Sequence, residues 1–388
     1  MLPATSVPLS VLDLSPVSSG QTSADALRNT IDLARRTERL GYRRFWLAEH
    51  HLSPGVASSA PGVLITAVAD ATSRIRVGSG AVLLGHHQPL VVAEQFGTIA
   101  QLHPDRIDLG LGRIALRRPE DVARRFSAPG GETAAPSTVV DGLVVPPKPK
   151  TAGDGTRFRE RIERQRRWVG LSDSESEAED YQAQVDSILR FVDGDAAEDL
   201  HAVPAQGAAL EVWVLGSSAG PSSAAAGALG LPYAANYHVS PSTVLESVRS
   251  YREAFVPSRS SARPHVVVSA DVVVADTDAE ARELASPYAR WVLSIRSGEG
   301  AIPYPSPVEA AAFPWTDEQR AAVADRTATQ FVGSPEAVAD QLATLQRATG
   351  ADELVITTVT HEHADRVRSY ELLAEAWAAT GRSRTTVP

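Results

Sequence analysis

Residues 73–113 read SRIRVGSGAVLLGHHQPLVVAEQFGTIAQLHPDRIDLGLGR. Ile75–Leu84 is an apolar, β-rich run, Val91–Leu102 carries apolar residues at helical spacing, and Arg106–Leu111 is apolar and strand-like again. Strand, helix and strand in that order predict a right-handed crossover between parallel strands. The same beat continues upstream. Val7–Leu14 reads as a strand, Ala24–Leu40 as a helix closed by Gly41, Arg44–Glu49 as a strand and Pro61–Thr72 as a helix. Downstream, strands are expected at Glu211–Leu215, Tyr233–His238, His265–Ala275 and Glu353–Thr358. Helices are expected at Tyr181–Phe191, Pro221–Leu229, Ser242–Phe255, Ala279–Ile295, Pro335–Thr349 and His363–Ala379. Eight parallel strands with interleaved helices describe a single (β/α)8 TIM barrel spanning residues 1–388.

Two stretches depart from the beat. Residues 127–180 are rich in Gly, Pro, Ser and Thr, with the arginine-rich run Arg157–Arg167 followed by the acidic run Asp173–Asp180 and the strand-like Val139–Val145 inside. They read as an insertion after the fourth strand, partly mobile. The basic run has two readings, a contact to phosphate or a solvated helix face paired with the acidic run. Residues 298–314, proline-rich and following the seventh strand, read as a lid loop.

Composition narrows the function classes. A chain of 388 residues with 43% hydrophobic and 22% charged residues buries a large core. A net charge of −10 argues against general nucleic-acid binding and against residence on anionic membranes. The absence of cysteine excludes disulfides, thiolate nucleophiles and cysteine-ligated metal centres. The only lysines, Lys148 and Lys150, sit in a Pro-Pro-Lys-Pro-Lys stretch, which speaks against a Schiff-base or phosphate-loop lysine. No apolar segment has the length of a membrane span and the first residues lack a secretion signal, so a cytoplasmic protein is expected.

A TIM barrel places its chemistry at the C-terminal ends of its strands. Gly216-Ser217-Ser218-Ala219-Gly220 joins the fifth strand to a helix. Small residues there bare backbone N–H groups at a helix N-terminus and add two hydroxyls, so the turn suits a phosphate, although a plain helix cap has the same composition. Arg113, ending the fourth strand beside it, would supply a bidentate donor or make a rim salt bridge. Six histidines (His50, His51, His86, His87, His361 and His363) follow strands two, three and eight. They suit proton transfer, oxyanion stabilisation or metal ligation, or are hydrogen-bonded packing residues. The pair His361 and His363 resembles a metal-binding pair loosely, and Glu49 is the carboxylate best placed to join such a cluster.

Several stretches in this order resemble the luciferase-like flavin monooxygenase superfamily, of the bacterial luciferase type. They are Phe45-Trp46-Leu47-Ala48-Glu49-His50-His51, Ser73-Arg74-Ile75-Arg76-Val77-Gly78-Ser79-Gly80, Ala93-Glu94-Gln95-Phe96, Arg106 to Arg113, Val214-Leu215-Gly216-Ser217-Ser218, Phe331 to Pro335 and Gly350 to Leu354. The resemblance spans residues 7–380 apart from 127–180. It implies a barrel enzyme that takes reduced FMN from a separate flavin reductase and uses dioxygen, through a C4a-peroxyflavin, to oxidise a small organic substrate. It further implies that Arg113, Gly216, Ser217 and Ser218 clamp the flavin phosphate. Ser79, Gly80 and Ala81 would back the flavin, with Gly80-Ala81 at the place of a non-prolyl cis peptide, and His50 would be the catalytic histidine. Glu49 would then orient His50 or pair with an arginine, and Tyr237 and His238 would line the substrate pocket. No metal is implied, and a homodimer and a role in secondary metabolism are expectations of the same kind. One departure stands out. Where the family often has an Ala-Pro-Gly turn after the strand-four arginine, this chain has Ile114-Ala115-Leu116-Arg117-Arg118. Three rival readings remain: a deazaflavin-dependent hydride-transfer oxidoreductase, a flavin-binding protein without turnover, and a metal-dependent barrel hydrolase.

Overall fold

The computed structural model describes residues 7–113, 136–148, 156–157, 160–161, 177–195, 201–379 and 381. Most of the 127–180 insertion, including most of both charged runs, and the departure at 114–118 lie outside them.

The eight barrel strands are β1 (Leu9–Asp13), β2 (Arg44–Leu47), β3 (Arg76–Ser79), β4 (Ile107–Gly112), β5 (Leu210–Gly216), β6 (Tyr233–Asn236), β7 (Val266–Val274) and β8 (Glu353–Thr357). All neighbours pair in parallel, and β8 returns to β1 through Leu9↔Leu354 and Val11↔Ile356, which closes the barrel. Every strand is buried on both faces, as a sheet wrapped by helices requires. Side chains alternate across each strand, so two apolar clusters form. Val11, Phe45, Val77, Ile107, Leu109 and Val268 point outward into the helix-facing core. Leu12, Trp46, Trp213, Ala234, Val267 and Val355 fill the interior, where the Trp46 and Trp213 rings meet edge-on at 5.2 Å.

The helices follow local rules. Thr22 and Asp25 form a capping box that starts α1 (Ser23–Arg39), and Pro61 and Pro89 open α2 (Pro61–Ala71) and α3 (Pro89–Leu102). The described end of the insertion is α4 (Glu177–Asp193), followed past β5 by α5 (Pro221–Ala228) and past β6 by α6 (Val244–Ala254). After β7 come α7 (Asp278–Ala285), α8 (Tyr288–Arg296), the short α9 (Pro307–Ala311) and α10 (Asp317–Thr327), then α11 (Pro335–Thr349) and α12 (His363–Ala379). Among the described residues, no helix is long and apolar enough to cross a membrane.

Two local departures from the sequence reading, and the anchoring of the stretch 298–314, bear on the site. The run Ile75–Leu84 is not one strand: β3 stops at Ser79, the Gly80–Ala81 peptide bond is cis, and Val82–Leu83 pairs separately with Leu111 and Gly112. The run Val139–Val145 is a hairpin of two antiparallel strands, Thr138–Val140 and Leu143–Val145. Asp141 and Gly142 both take positive φ, the requirement of a two-residue type I′ turn. The stretch 298–314 is stitched to neighbouring loops. Tyr304 is fully buried, its N–H donates to Val17 O (2.8 Å), its carbonyl accepts from Ser19 (2.9 Å), and Gly55 N–H donates to Ala301 O (2.7 Å). A Cβ at Gly55 would lie 1.8 Å from Ile302 O, so only glycine allows that approach.

Candidate functional site

The C-terminal mouth of the barrel holds two joined chambers of about 240 and 210 Å³. Both are lined by Ala48, His50, Gly80, Leu215 and Asn236, so His50 stands at their junction. Strand alternation explains who gets there. Arg44, Trp46, Ala48 and His50 share the inward parity of β2 and its extension, as Gly78 and Gly80 do on β3. Glycine just past the end of β3 leaves the space: a Cβ at Gly80 would lie 2.8 Å from Leu12 Cδ1.

The smaller chamber is polar. Arg113, Ser217, Ser218 and Gly220 line it, and Pro221 and Ser222 bring the N-terminus of α5 to its wall. The turn is held from outside. Thr243 Oγ1 donates to Ser217 O (2.6 Å) and Gly220 N–H donates to Ser223 Oγ (3.0 Å). Gly216 is pressed so close to the Tyr233 hydroxyl that a Cβ would stand 2.4 Å from it. A guanidinium, two hydroxyls and a helix N-terminus form a donor set suited to an anion with several acceptor oxygens.

The larger chamber has an apolar floor of Leu12, Trp46, Val267 and Val355, with a polar wall of Asn236, His238, Ser269, Asp271 and Arg326. His238 Nδ1 and Ser269 Oγ are 2.6 Å apart. Burial, reinforced by Arg326 and His50, pushes the His238 pKa down to about 3, so its ring is neutral at pH 7. Asp271 accepts from the Tyr288 hydroxyl and from Arg326 Nη2 (3.2 Å), and Arg326 Nε donates to Tyr288 (3.0 Å). Burial still raises the Asp271 pKa against that pairing.

His50 is solvent-exposed within the mouth and opens onto both chambers, with dense protein behind it. Burial lowers its pKa against the pull of Glu49, which favours the neutral imidazole. Its own N–H donates to Ser58 O (2.8 Å) and fixes the backbone. Among the described residues, Glu49 makes no hydrogen bond to His50 and pairs with no arginine. Its parity turns the carboxylate to the other face, where Oε1 meets His51 Nε2 (2.7 Å) and His87 Nε2 (2.9 Å), and Oε2 accepts from Leu83 N–H (3.0 Å). Burial opposes the Glu49 charge, but these three hydrogen bonds outweigh it and hold the carboxyl below its usual range. The His87 pKa is raised in return.

Of the residues singled out from the sequence, the structure brings His50, Glu49, Gly80, Ala81, Arg113, Gly216, Ser217, Ser218 and His238 to the chambers. Two take the opposite parity and line neither. Ser79 is fully buried and exchanges hydrogen bonds with the Gly110 backbone, both at 2.9 Å. Tyr237 is buried beside Phe331 and donates to Val144 O of the insertion hairpin (2.7 Å). His361 and His363 are not brought together as a metal pair. His361 Nδ1 faces Glu362, and His363 Nε2 faces Asp32 at 2.9 Å. Sequence reasoning missed Ser269 and Asp271, whose signal was two polar residues at alternate positions within Val266–Val274. It also missed Arg326, which arrives from α10 with no local signal. From the insertion, Arg161 reaches the rim and donates to Leu52 O (2.6 Å) and Glu299 O (2.9 Å).

Comparison with known proteins agrees with this architecture. The Bacillus subtilis (strain 168) protein YvbT is 38% identical over 370 residues, covering 95% of this chain and 96% of YvbT. The luciferase-like monooxygenase of Escherichia coli (strain K12) is 31% identical over 369 residues, covering 94% and 96%. The crystal structure of apo-MsnO8 matches with a TM-score of 0.75 at 34% identity, over 96% of this chain and 98% of that one. The family model described as luciferase-like monooxygenase matches residues 7–353, from β1 to the first residue of β8, a span that holds all of the smaller chamber's lining and all of the larger one's except Val355, Thr357 and Val359, and the chain belongs to the luciferase-like monooxygenase family.

Proposed function

We propose that the protein is a monooxygenase that binds reduced FMN and uses dioxygen to oxidise a small organic molecule. The observation that carries this reading is the junction of an anion-suited chamber and an apolar-floored chamber at one histidine, His50. The donor set of Arg113, Ser217, Ser218 and the α5 N-terminus fits a phosphate. The apolar residues beyond Gly80 and Ala81 fit a flat ring system and leave room for substrate against the Asn236–His238–Ser269 wall. Reduced FMN, when bound, supplies the electrons that activate dioxygen. The chain's own part is to hold the phosphate, to exclude bulk water with the loops stitched around Tyr304, and to keep His50 neutral. One ring nitrogen of His50 can then donate a proton while the other accepts one. The reading further includes delivery of reduced FMN by a separate flavin reductase, closure of the mouth by 298–314, and a homodimer.

The test is anaerobic titration of the purified protein with reduced FMN, oxidised FMN and a reduced deazaflavin, followed by admission of oxygen. Tightest binding of reduced FMN, with oxygen then consumed at the bound flavin, supports the reading. Preference for the deazaflavin would replace it with hydride transfer. Flavin binding without oxygen incorporation across a broad substrate panel would leave a binding protein.

A further inference from the structure

We propose that Glu49, His51 and His86 form a binding site for one divalent transition-metal ion of the zinc class, set between the loops that follow β2 and β3. One donor atom from each of the three side chains lies within 4.8 Å of the other two, the only such group of histidine and carboxylate donors among the described residues. Three further observations point the same way.

First, Glu49 is 3% exposed, and the groups hydrogen-bonded to its carboxylate are His51, His87 and the Leu83 N–H. Among the described residues, no arginine or lysine joins them. The charge of this buried carboxylate is balanced by whatever proton the imidazoles carry, and a divalent cation would balance it outright. Second, His86 Nδ1 is buried without a hydrogen-bond partner, and its ring stands edge-on to His51 at 4.9 Å. A bare imidazole nitrogen beside a carboxylate is a donor in search of an acid. Third, His87 Nε2 already holds Glu49 Oε1 at 2.9 Å, as the outer partner of a ligating carboxylate does.

Two imidazoles and one carboxylate are a familiar donor set for zinc with an open coordination position, and the same set accepts iron(II). Bonds of about 2.0–2.2 Å require the three donors to draw closer than 4.8 Å, which the half-buried rings of His51 and His86 can do by side-chain rotation. The site does not depend on the flavin reading. Since Glu49 precedes His50 in the chain, an ion here adds positive charge beside the junction of the chambers.

The experiment is calorimetric titration of chelator-stripped protein with zinc at pH 7.5, with elemental analysis after gel filtration. One zinc per chain is expected, with protons released on binding, so that the heat varies with the buffer. Glu49→Gln and His86→Asn should each weaken binding at least tenfold. His103→Asn, whose imidazole pairs with Asp70 (3.2 Å), should leave it unchanged. Absence of retained zinc, or equal affinity in all variants, overturns the proposal. Should a variant fail to fold, cobalt(II) on the unmodified chain decides: a four- or five-coordinate visible spectrum supports the site, and an aqueous-ion spectrum refutes it.

Discussion

The floor and the mouth of the barrel are built from the same inward-facing strand positions and treat charge in opposite ways. At the floor, Arg44 is 1% exposed and bound on every side. Its Nη1 donates to Asp108 and Glu211, both at 2.8 Å, its Nε to Glu353 at 3.2 Å, and its guanidinium lies 4.6 Å from the Trp213 ring centroid. Arg76 and the Trp46 indole N–H complete the coordination of Asp108. Three layers above on the same strand path, His50 faces open space. Around it stand Asn236, His238 and Arg113, and the only carboxylate beside it in the chain, Glu49, is turned away. A saturated network plugs one end and fixes the barrel. At the other end Asp271 and Arg326 are paired with each other and with Tyr288, while His50, Asn236, Ser217 and Ser218 border a cavity. A packed ionic floor below an open mouth is the division expected of this architecture, in which chemistry belongs to the C-terminal face.

The sharpest test separates the two ends by readout. His50→Ala should lower turnover by about 10²- to 10⁴-fold, the usual span for loss of a positioned proton donor or acceptor. Thermal stability and reduced-FMN affinity should hardly change, since the His50 ring opens into the chambers. A comparable loss of melting temperature would make His50 a structural residue and dissolve the contrast. Arg44→Leu should do the reverse. It strands Asp108 and Glu353 in the interior and should cost about 3–5 kcal/mol of stability, the usual consequence of breaking one partner from a buried ionic network. Urea denaturation measures it, and a loss below about 1 kcal/mol would show that the floor relaxes by admitting water.

Much of this division was legible in the sequence because it is periodic. All eight strands fell where apolar runs alternated with helical spacing, and Gly216–Gly220 announced itself as a bare turn before a helix. What failed was parity. Applied strictly, the two-residue period of β3 and β6 would have turned Ser79 and Tyr237 outward, and the polar beat in Val266–Val274 would have found Ser269 and Asp271. The pairing of Glu49 with His51 and His87 was hidden for another reason. It joins two loops, and loop geometry has no period. Arg326 was beyond reach altogether, since nothing in α10 marks which residue enters a chamber formed by other elements. Asp141-Gly142 was readable as a hairpin turn but was submerged in an insertion with no other pattern.

At the mouth itself, the anion-suited chamber can be sharpened against the apolar-floored one. Arg113→Ala should weaken reduced FMN by roughly ten- to a hundredfold, which is about 1.5–3 kcal/mol for a charged hydrogen bond. It should weaken reduced riboflavin, which lacks the phosphate, by much less. Equal loss for the two ligands would place Arg113 against the ring and not the phosphate. The free energy separating the two ligands is the part of the affinity that belongs to the chamber of Arg113, Ser217 and Ser218.

The smallest effect concerns the cost of keeping the His238 ring uncharged. Burial holds His238 at a pKa of about 3, whereas the unfolded chain carries an ordinary histidine near 6.5. A histidine depressed in the folded state takes up its proton first in the unfolded state. Its effect on stability is therefore nil above about pH 6.5 and grows steadily destabilising as pH falls from there toward 3. The ring borders a water-accessible chamber, so the full shift is not realised, and about 1 kcal/mol at pH 5 is the expected size. Melting curves between pH 7.5 and 4 measure it. His238→Asn keeps a polar group opposite Ser269 but cannot titrate, so its curve should run parallel to the unmodified chain above pH 6.5 and fall less steeply below. Parallel curves throughout would mean that His238 takes up its proton in the folded mouth, adding a positive charge to the polar wall of the larger chamber in mild acid.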